Sequence, residues 1–426
     1  MKQRNSYGIG VIGGGIIGLS SAYYLHQAGY RVTVFDQNRI TDGCSFGNAG
    51  MIVPSHIIPM AQPGMIAKGL RWMLNSTSPF YVKPRLNLDL MRWGWLFYRH
   101  STPEHVERAI PALRDISLLS KKLYQELAAT ANRPSGTLSP FGWQERGLLM
   151  LYKTAAAEHE MADEAAVANR SGIDAQVLSG QQVQDLEPDV RVDVRGAVYY
   201  PGDAHLNPGE LVRALVTYLQ KNGVQFVEEQ TVTGFGTHGP RIDTIQTSKG
   251  EYTVDEVVVA GGSWSPELAK LLGFPLSLQG GKGYSFMLNN LSSSVRVPAI
   301  MLEARATATP MGSGLRFAGT LEVAGTDQSV NMNRVRGIVA GIGQYYPELP
   351  VVLPPVETVW KGLRPCSPDG LPYIGRVRRF ENLTLATGHG MMGLSLGPAT
   401  GKLVAETIAS KPLSMDLAAF QPERFS

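Results

Sequence analysis

The chain has 426 residues, of which 43% are hydrophobic and 18% are charged, with a formal net charge of +3. This composition is typical of a globular protein long enough for two domains, and the small charge argues against a nucleic-acid partner. The two cysteines lack metal-ligand spacing, and there is neither a secretory signal pattern nor an apolar run of about 18 residues. We therefore expect a cytoplasmic protein without a metal site.

The stretch from Gly8 to Asp36 has the pattern of a strand, a tight turn, a helix and a second strand. Gly13, Gly15 and Gly18 give the G-x-G-x-x-G spacing that permits the turn, the approach of a pyrophosphate and close helix packing. Asp36 follows at about the 20-residue spacing at which an acidic side chain meets a ribose hydroxyl. The stretch predicts a dinucleotide site; a purely structural βαβ unit is the alternative.

A loop of small and polar residues, GCSFGNAGMIVP, follows at positions 43–54. Its backbone N–H groups and the side chains of Ser45 and Asn48 can bond a flat ring or a phosphate. An ordinary surface loop is the alternative, but the position after the dinucleotide unit favours a binding loop.

Residues 60–100 combine three of the six tryptophans with interleaved lysines and arginines. We favour a packed core whose cations reach solvent, and a membrane-surface patch is the alternative. Apolar residues at three- and four-residue steps then predict one or two helices over 103–132.

Strand–helix–strand alternation returns at 195–265, which predicts that this segment rejoins the first sheet. Residues 275–350 instead predict an antiparallel sheet, with a hairpin at Pro310, Gly312 and Gly314. The glycine-rich stretch 388–401 opens a helix and predicts a second set of backbone amides at the ligand.

Five motifs together resemble the family of FAD-dependent amine and amino-acid oxidoreductases that includes D-amino-acid oxidase, glycine oxidase and the bacterial D-amino-acid dehydrogenase small subunit. They are G-x-G-x-x-G at 13–18, CSFGNAG at 44–50, GKGYS at 281–285, GLRPCSPDGLPYIG at 362–375 and GHGMMGLSLGPATG at 388–401. The dehydrogenase branch is the most similar, through CSFGNAG and GMIAKGLRWML. The segment MIVPSHIIPMAQP, residues 51–63, departs from that branch and leaves the substrate open.

The resemblance implies an α/β fold with a doubly wound, Rossmann-like FAD-binding domain and a second, substrate domain built on a mixed or antiparallel sheet. We predict a discontinuous FAD-binding domain. Its three parts are 1–60, 191–270 and 356–426. The substrate domain takes 271–355, and 61–190 is mainly substrate domain together with a helical insertion.

The resemblance also implies bound FAD. The first glycine motif would hold its pyrophosphate, Asp36 its ribose, the loop near 45–51 the flavin side, Val232 the adenine and 388–393 the isoalloxazine ring. The predicted cofactor-binding residues are Gly13, Gly14, Gly15, Ile16, Ile17, Gly18, Asp36, Gln37, Ser45, Asn48, Ala49, Gly50, Met51, Val232, Gly261, Gly388, His389, Gly390, Met391, Met392 and Gly393.

Some relatives attach FAD through a cysteine upstream of the Pro-Asp turn. Cys366 lies two residues before Pro368, closer than that pattern. We therefore expect non-covalent FAD.

The implied reaction is oxidation of the CH–NH bond of a D-amino acid, or a related small amino acid, by hydride transfer to flavin N5. The imine then hydrolyses to a 2-oxo acid and ammonia. Arg364, in GLRP, matches the family's carboxylate-binding arginine, whose planar fork bonds both oxygens; a structural ion pair is the alternative. Tyr284 is a candidate hydroxyl donor and His56 a candidate base, although either side chain can be structural.

The dehydrogenase resemblance implies a quinone or a carrier protein as the electron acceptor, and peripheral contact with the inner face of the cytoplasmic membrane is compatible with residues 64–99. An oxidase of glycine, sarcosine or D-proline and hydroxyproline is an alternative. A flavin-carrying subunit of a larger complex and a nicotinamide-dependent dehydrogenase are further alternatives.

Overall fold

The computed structural model describes residues 7–73, 80–82, 87–133, 137–289, 291, 293–323 and 325–425. The helices are α1 (Ile16–Gln27), α2 (Met65–Met73), α3 (Leu88–His100), α4 (Pro103–Ala131), α5 (Ala155–Arg170), α6 (Gly180–Leu186), α7 (Pro208–Lys221), α8 (Ser265–Leu271), α9 (Met332–Tyr345) and α10 (Gly393–Ile408). The strands are β1 (Gly8–Ile12), β2 (Arg31–Phe35), β3 (Met51–Ile52), β4 (Phe80–Val82), β5 (Leu148–Tyr152), β6 (Gln176–Ser179), β7 (Gly196–Tyr200), β8 (Ala204–His205), β9 (Gln225–Val227), β10 (Val232–His238), β11 (Arg241–Thr247), β12 (Gly250–Thr253), β13 (Glu256–Val259), β14 (Gln279–Leu288), β15 (Ala299–Met301), β16 (Ala306–Met311), β17 (Gly314–Val323), β18 (Trp360–Cys366), β19 (Tyr373–Arg376) and β20 (Leu383–Thr387).

The first sheet has six strands in the order β19-β20-β13-β1-β2-β9. All neighbours are parallel except β19, which runs antiparallel to β20. All five residues of β1 are buried, as expected for a parallel strand covered on both faces. This sheet confirms the predicted doubly wound, Rossmann-like architecture.

Helices α1 and α10 cover this sheet and touch backbone to backbone. A Cβ at Gly401 would lie 2.4 Å from the carbonyl carbon of Ser20, so no larger residue fits without displacing a helix. The buried positions Leu19, Ala22 and Leu25 of α1 join the largest hydrophobic core. The contact ties the C-terminal helix to the dinucleotide turn.

The second sheet has the order β18-β14-β17-β16-β15-β5-β7-β6, and β4 pairs with β17. It is mixed, as predicted, because the β15–β5 and β17–β4 pairs are parallel whereas the other pairs are antiparallel. Helix α9 packs on one face through Val335 and Ile338, in a separate core that includes Phe286 and Phe317.

Two strands join a different sheet from the one that the predicted domain boundaries imply. The ranges 191–270 and 356–426 assign β7 and β18 to the FAD-binding domain, but β7 pairs with β5 and β6, and β18 pairs with β14. Both strands therefore belong to the second sheet. A short apolar strand carries no local mark of its partner, since the partner is chosen by long-range backbone hydrogen bonds.

The aromatic and basic stretch at 60–100 contains two helices that the sequence analysis did not identify, α2 and α3. Helix α3 turns one face, with Leu90, Trp93 and Phe97, toward the interior cavity described below. Its other face is solvent-exposed. The prediction that this stretch packs as core thus holds for one side of α3. The part of the prediction that falls on 74–79 and 83–86 lies outside the described residues.

Candidate active site

A cavity of about 990 Å³ lies between the two sheets. Its walls come from the β1–α1 turn, the loop after β2, helix α3, the strands β14 and β18, and the stretch before α10. Ligand sites usually measure about 300–1,000 Å³. The cavity is therefore large enough for a sizeable cofactor together with a small substrate.

The glycine turn has the geometry that its motif predicts. Gly13 adopts a φ of +109°, and a Cβ there would lie 2.4 Å from the Ala260 carbonyl oxygen. A Cβ at Gly18 would lie 1.8 Å from the Gly13 carbonyl oxygen. Gly15 caps α1 without a side-chain hydrogen bond, and the backbone N–H of Ile16 donates to the Ser45 hydroxyl at 2.9 Å. The turn between β1 and α1 thus presents polar backbone groups to the cavity.

Asp36 directly follows β2 and lies at the cavity wall. Its carboxylate accepts the Gly14 N–H at 2.7 Å and the Asn38 N–H at 2.9 Å. Burial raises the pKa of Asp36, whereas these two hydrogen bonds oppose the shift. Val232 lines the same end of the cavity, next to Thr231. This end fits an adenosine, with a carboxylate at the ribose position.

The loop after β2 is held by the second sheet. The Arg316 guanidinium donates to the Asn48 carbonyl at 2.8 Å, and the Ser285 hydroxyl donates to the Gly47 carbonyl at 2.8 Å. The Trp360 ring occupies the space beside Gly47, where a Cβ would lie 2.2 Å from the ring. The loop can thus present its backbone to a flat ligand without moving.

Arg364 projects from β18 into the cavity. Its Nη1 donates to the Thr320 carbonyl at 2.7 Å, and no acidic group lies within 4 Å of it among the described residues. Burial lowers the pKa of the Arg364 guanidinium from its usual value. Among the residues that the structure describes, the Arg364 guanidinium therefore has no counter-charge in the cavity.

Tyr284 lines the cavity, but its hydroxyl faces away from Arg364, which lies on the neighbouring strand and pairs with Gly281. Its hydroxyl donates to Glu322 at 3.2 Å and accepts the Asn331 N–H at 3.1 Å. Gly283 faces Arg364, and consecutive strand residues point to opposite faces. The arrangement argues against the predicted contact between the Tyr284 hydroxyl and a substrate carboxylate.

Lys282 shares the buried network of Tyr284. Its ammonium lies 3.3 Å from the Asp327 carboxylate and 3.9 Å from Glu322, and Arg334 lies 3.3 Å from Glu322. Only 1% of the Lys282 side chain is exposed. These charges neutralise one another on the α9 side of the sheet.

The stretch before α10 also lines the cavity. Gly388 adopts a φ of +80° and packs against the Tyr373 ring. His389 is buried, with Nε2 3.0 Å from the Thr400 hydroxyl, and burial lowers its pKa to about 3. The imidazole is therefore neutral and held by α10.

Most of the predicted site residues meet in this one cavity. Those that line it are Gly13, Gly15, Ile16, Ile17, Asp36, Gln37, Ser45, Asn48, Ala49, Met51, His56, Val232, Gly261, Tyr284, Arg364, His389, Gly390, Met391, Met392 and Gly393. The remaining four, Gly14, Gly18, Gly50 and Gly388, are not among the lining residues.

Several lining residues were not predicted from the sequence. Trp93 and Phe97 of α3 stack at 5.3 Å between ring centroids, and the Trp93 indole N–H donates to the Cys366 carbonyl at 2.9 Å. Met150 and Ile300, on adjacent strands, supply an apolar wall. The density of tryptophans at 60–100 was the available signal, but it does not indicate which side of a helix meets a cavity.

A Rossmann-like turn, a covering second sheet and a cation in the cavity between them define the class of two-domain, dinucleotide-dependent oxidoreductases. Residues 9–407 match the FAD dependent oxidoreductase family DAO, and the chain belongs to that family. The predicted FAD cofactor and oxidoreductase class are thereby confirmed. The glycine turn and the carboxylate of Asp36 fit the adenosine diphosphate part of FAD.

Known relatives cover nearly the whole chain. The D-amino acid dehydrogenase of Granulibacter bethesdensis is 32% identical over 98% of this chain and 99% of its own length. Glycine oxidase from Geobacillus kaustophilus has a similar structure, with a TM-score of 0.77, 22% identity and coverage of 98% and 99%. L-proline dehydrogenase from P. horikoshii gives a TM-score of 0.75, 18% identity and coverage of 99% and 98%. The two structures show that the fold is shared.

Proposed function

We propose that the protein is a dehydrogenase of a D-amino acid or a related small amino acid. The carrying observation is Arg364, a cation in the cavity without an acidic partner among the described residues. The similarity to D-amino acid dehydrogenases supports the substrate class. Arg364 would bind the substrate carboxylate through its planar fork, because two parallel N–H groups match two carboxylate oxygens.

FAD, when bound, supplies the hydride acceptor. The task of the chain is then to hold a carboxylate, a neutral amine and one Cα–H in a single orientation. Arg364 fixes one end of the substrate, and the apolar wall of Met150 and Ile300 is available for its side chain. The stacked Trp93 and Phe97 would cover the α3 side of the bound substrate.

For the electron acceptor we propose a quinone or a carrier protein, reached from the α3 side. The outer face of α3 exposes large apolar side chains beside the basic residues Arg92 and Arg99. The exposed residues are Leu88 (82%), Met91 (63%), Trp95 (56%) and Tyr98 (67%). An amphipathic helix with aromatic and basic residues suits the surface of an anionic bilayer.

Helix α3 thus connects this exposed face to the cavity, which supports peripheral membrane contact at the point where a lipophilic acceptor would enter. No helix in the described part of the chain is long and apolar enough to span a bilayer. An oxidase that uses oxygen is the alternative.

The test is anaerobic bleaching of the bound flavin by D- and L-amino acids, glycine, sarcosine, D-proline and hydroxyprolines, followed by turnover with a dye acceptor. We expect reduction by D-amino acids and slow peroxide formation in air. Reduction by L-amino acids alone, or by none of the panel, would overturn the substrate class. Peroxide formation as fast as dye reduction would assign an oxidase, and a lack of turnover by the isolated chain would indicate a subunit of a larger complex.

A further inference from the structure

Three polar residues form a hydrogen-bonded chain that ends at the cavity. The Ser55 hydroxyl lies 2.5 Å from Oδ2 of Asp203 and 3.1 Å from Nδ1 of His56. The backbone N–H of Ser55 donates to the second Asp203 oxygen at 3.1 Å. His56 lines the cavity, and Asp203 is 1% exposed. The three hydrogen-bonded residues therefore connect a buried carboxyl group to the cavity.

The short β3–β8 strand pair brings these three residues together. Met51 pairs with His205 and Ile52 with Ala204, so the segment after β3 passes directly over Asp203, which precedes β8. The segment is the MIVPSHIIPMAQP stretch that departs from the dehydrogenase branch. Ser55 is therefore held by a partner about 150 residues away, and Ser55 in turn contacts the His56 imidazole.

The charged and titratable surroundings are sparse. Among the described residues, Lys121 of α4 is the one cation that lowers the pKa of Asp203, and Tyr199 and Tyr200 of β7 lie near the same carboxyl group. Asp203 makes no ion pair within 4 Å among the described residues. For His56, burial is the cause of its lowered pKa.

The Ser55 hydroxyl has a single hydrogen to donate, so the protonation state of Asp203 and the tautomer of His56 are coupled. When Asp203 is ionised, the Ser55 hydroxyl donates to it, so His56 must donate from Nδ1 and keep a lone pair on Nε2. When Asp203 carries a proton, it donates to Ser55, Ser55 donates to Nδ1, and the imidazole hydrogen lies on Nε2. The proton on Asp203 thus selects the tautomer that His56 presents to the cavity.

We propose that Asp203, Ser55 and His56 form a proton relay that accepts a proton from the ammonium group of the bound substrate. The inference rests on the proposed function, because an amino acid arrives as an ammonium and must become a neutral amine before it is oxidised. The proton passes from nitrogen to Nε2 of His56, the Nδ1 proton passes to Ser55, and the Ser55 proton passes to Asp203. The imidazole ends neutral, with its hydrogen on Nε2.

A relay is needed because His56 alone is a poor base. Burial lowers the pKa of His56 to about 4, so an imidazolium is unfavourable in this place. Burial also raises the pKa of Asp203 to about 7, which makes the carboxylate a proton acceptor near neutral pH. His56 and Ser55 are positioning and transfer groups, and Asp203 is the terminal acceptor.

The first test needs no turnover. Nitrogen NMR of protein labelled with ¹⁵N-histidine, with His56 assigned from the His56→Gln variant, reports the tautomer directly. We expect the hydrogen to move from Nε2 to Nδ1 as the pH rises through about 7. The same tautomer at every pH, in wild type and in Asp203→Asn alike, would overturn the coupling.

The second test is the pH profile of anaerobic flavin reduction. In wild type the rate should rise with ionisation of Asp203, whereas in Asp203→Asn and Ser55→Ala it should rise only as the free substrate loses its own proton. At pH 7.5 we expect a loss of about 100-fold, in the range of general base catalysis. A fluorinated amino acid whose amine is already neutral at this pH should be insensitive to both substitutions.

Ser117→Ala is the matched control, since the buried Ser117 hydroxyl of α4 has no hydrogen-bond partner in the described part of the chain. If either relay variant kept the wild-type profile while wild type was reduced, the relay would be wrong and the proposed function would stand. If no amino acid reduced wild type at any pH, both would be wrong. The Ser55 variant keeps the test valid if Asp203→Asn does not fold.

Discussion

A Cβ at Gly283 would lie 2.2 Å from Nη1 of Arg364, so the guanidinium occupies space that any other residue at position 283 would fill. Strands β14 and β18 are antiparallel here, and Gly283 pairs with Gly362, two residues before the arginine. The absent side chain lets Arg364 lie across the neighbouring strand, with one N–H on the Thr320 carbonyl.

Gly283→Ala should therefore displace the guanidinium. We expect the KM for the best amino acid to rise about tenfold or more, which corresponds to about 1.4 kcal/mol of binding, with a normal FAD content. Gly343→Ala is the control, because a Cβ at Gly343 meets nothing within 4 Å. Steady-state kinetics of the two variants measures the difference, and an unchanged KM in Gly283→Ala would contradict this role.

Arg364→Ala should remove the carboxylate partner itself. Loss of one member of a desolvated charge pair costs about 2–5 kcal/mol, which lowers kcat/KM by roughly 30- to 5,000-fold. Arg364→Lys should lie between, since it keeps the charge but loses the fork. Arg296→Ala, at an exposed ion pair with Asp189, is the matched control. Near wild-type kcat/KM in an FAD-loaded Arg364→Ala protein would reject the assignment.

Acid precipitation should release all of the flavin into the supernatant. The Cys366 thiol is buried and donates to the Arg364 carbonyl, and burial raises its pKa to about 11, so little thiolate is available to form a bond. Cys366→Ala should carry the same amount of flavin as wild type. Yellow colour that stays with the wild-type pellet, but not with the variant pellet, would show a covalent link.

The exposed face of α3 should control binding to anionic vesicles. Met91→Glu combined with Trp95→Glu places two negative charges on that face, and we expect vesicle co-sedimentation to fall about tenfold or more. Val177→Glu places one negative charge at an exposed site on β6 as a control, and binding should be unaffected. Equal co-sedimentation of all three proteins would exclude α3 as the contact.

Asp203→Asn should change how stability depends on pH. Because burial raises the Asp203 pKa from 3.8 to about 7, the native chain binds a proton that the unfolded chain lacks between these values. The free energy of unfolding of wild type should therefore fall by about 4 kcal/mol, through this one group, as the pH rises from about 4 to 7.

The variant should lack this loss, and urea unfolding across that pH range measures the difference. Glu164 and Glu187, whose pKa values burial also raises to about 7, act alike in both proteins and cancel. Parallel pH dependences of the two proteins would show that Asp203 is ionised throughout.

The sequence by itself determined the features that depend on near neighbours. The turn at Gly13, the acid at Asp36 and the helix that begins at Gly393 follow from local spacing, because a positive φ, a helix start and a strand end are set within a few residues. Arg364 was assigned as the carboxylate-binding residue from the resemblance of the GLRP motif to the family, and that role stays a prediction.

Only the tertiary structure decided which side chains meet. Tyr284 and Arg364 lie on neighbouring strands yet face opposite sides, β7 and β18 join the second sheet, and α3 divides its residues between cavity and solvent. Asp203 and Ser55 are brought together from distant parts of the chain. Which strands pair, and in which register, depends on long-range backbone hydrogen bonds and on burial against partners that neither segment contains.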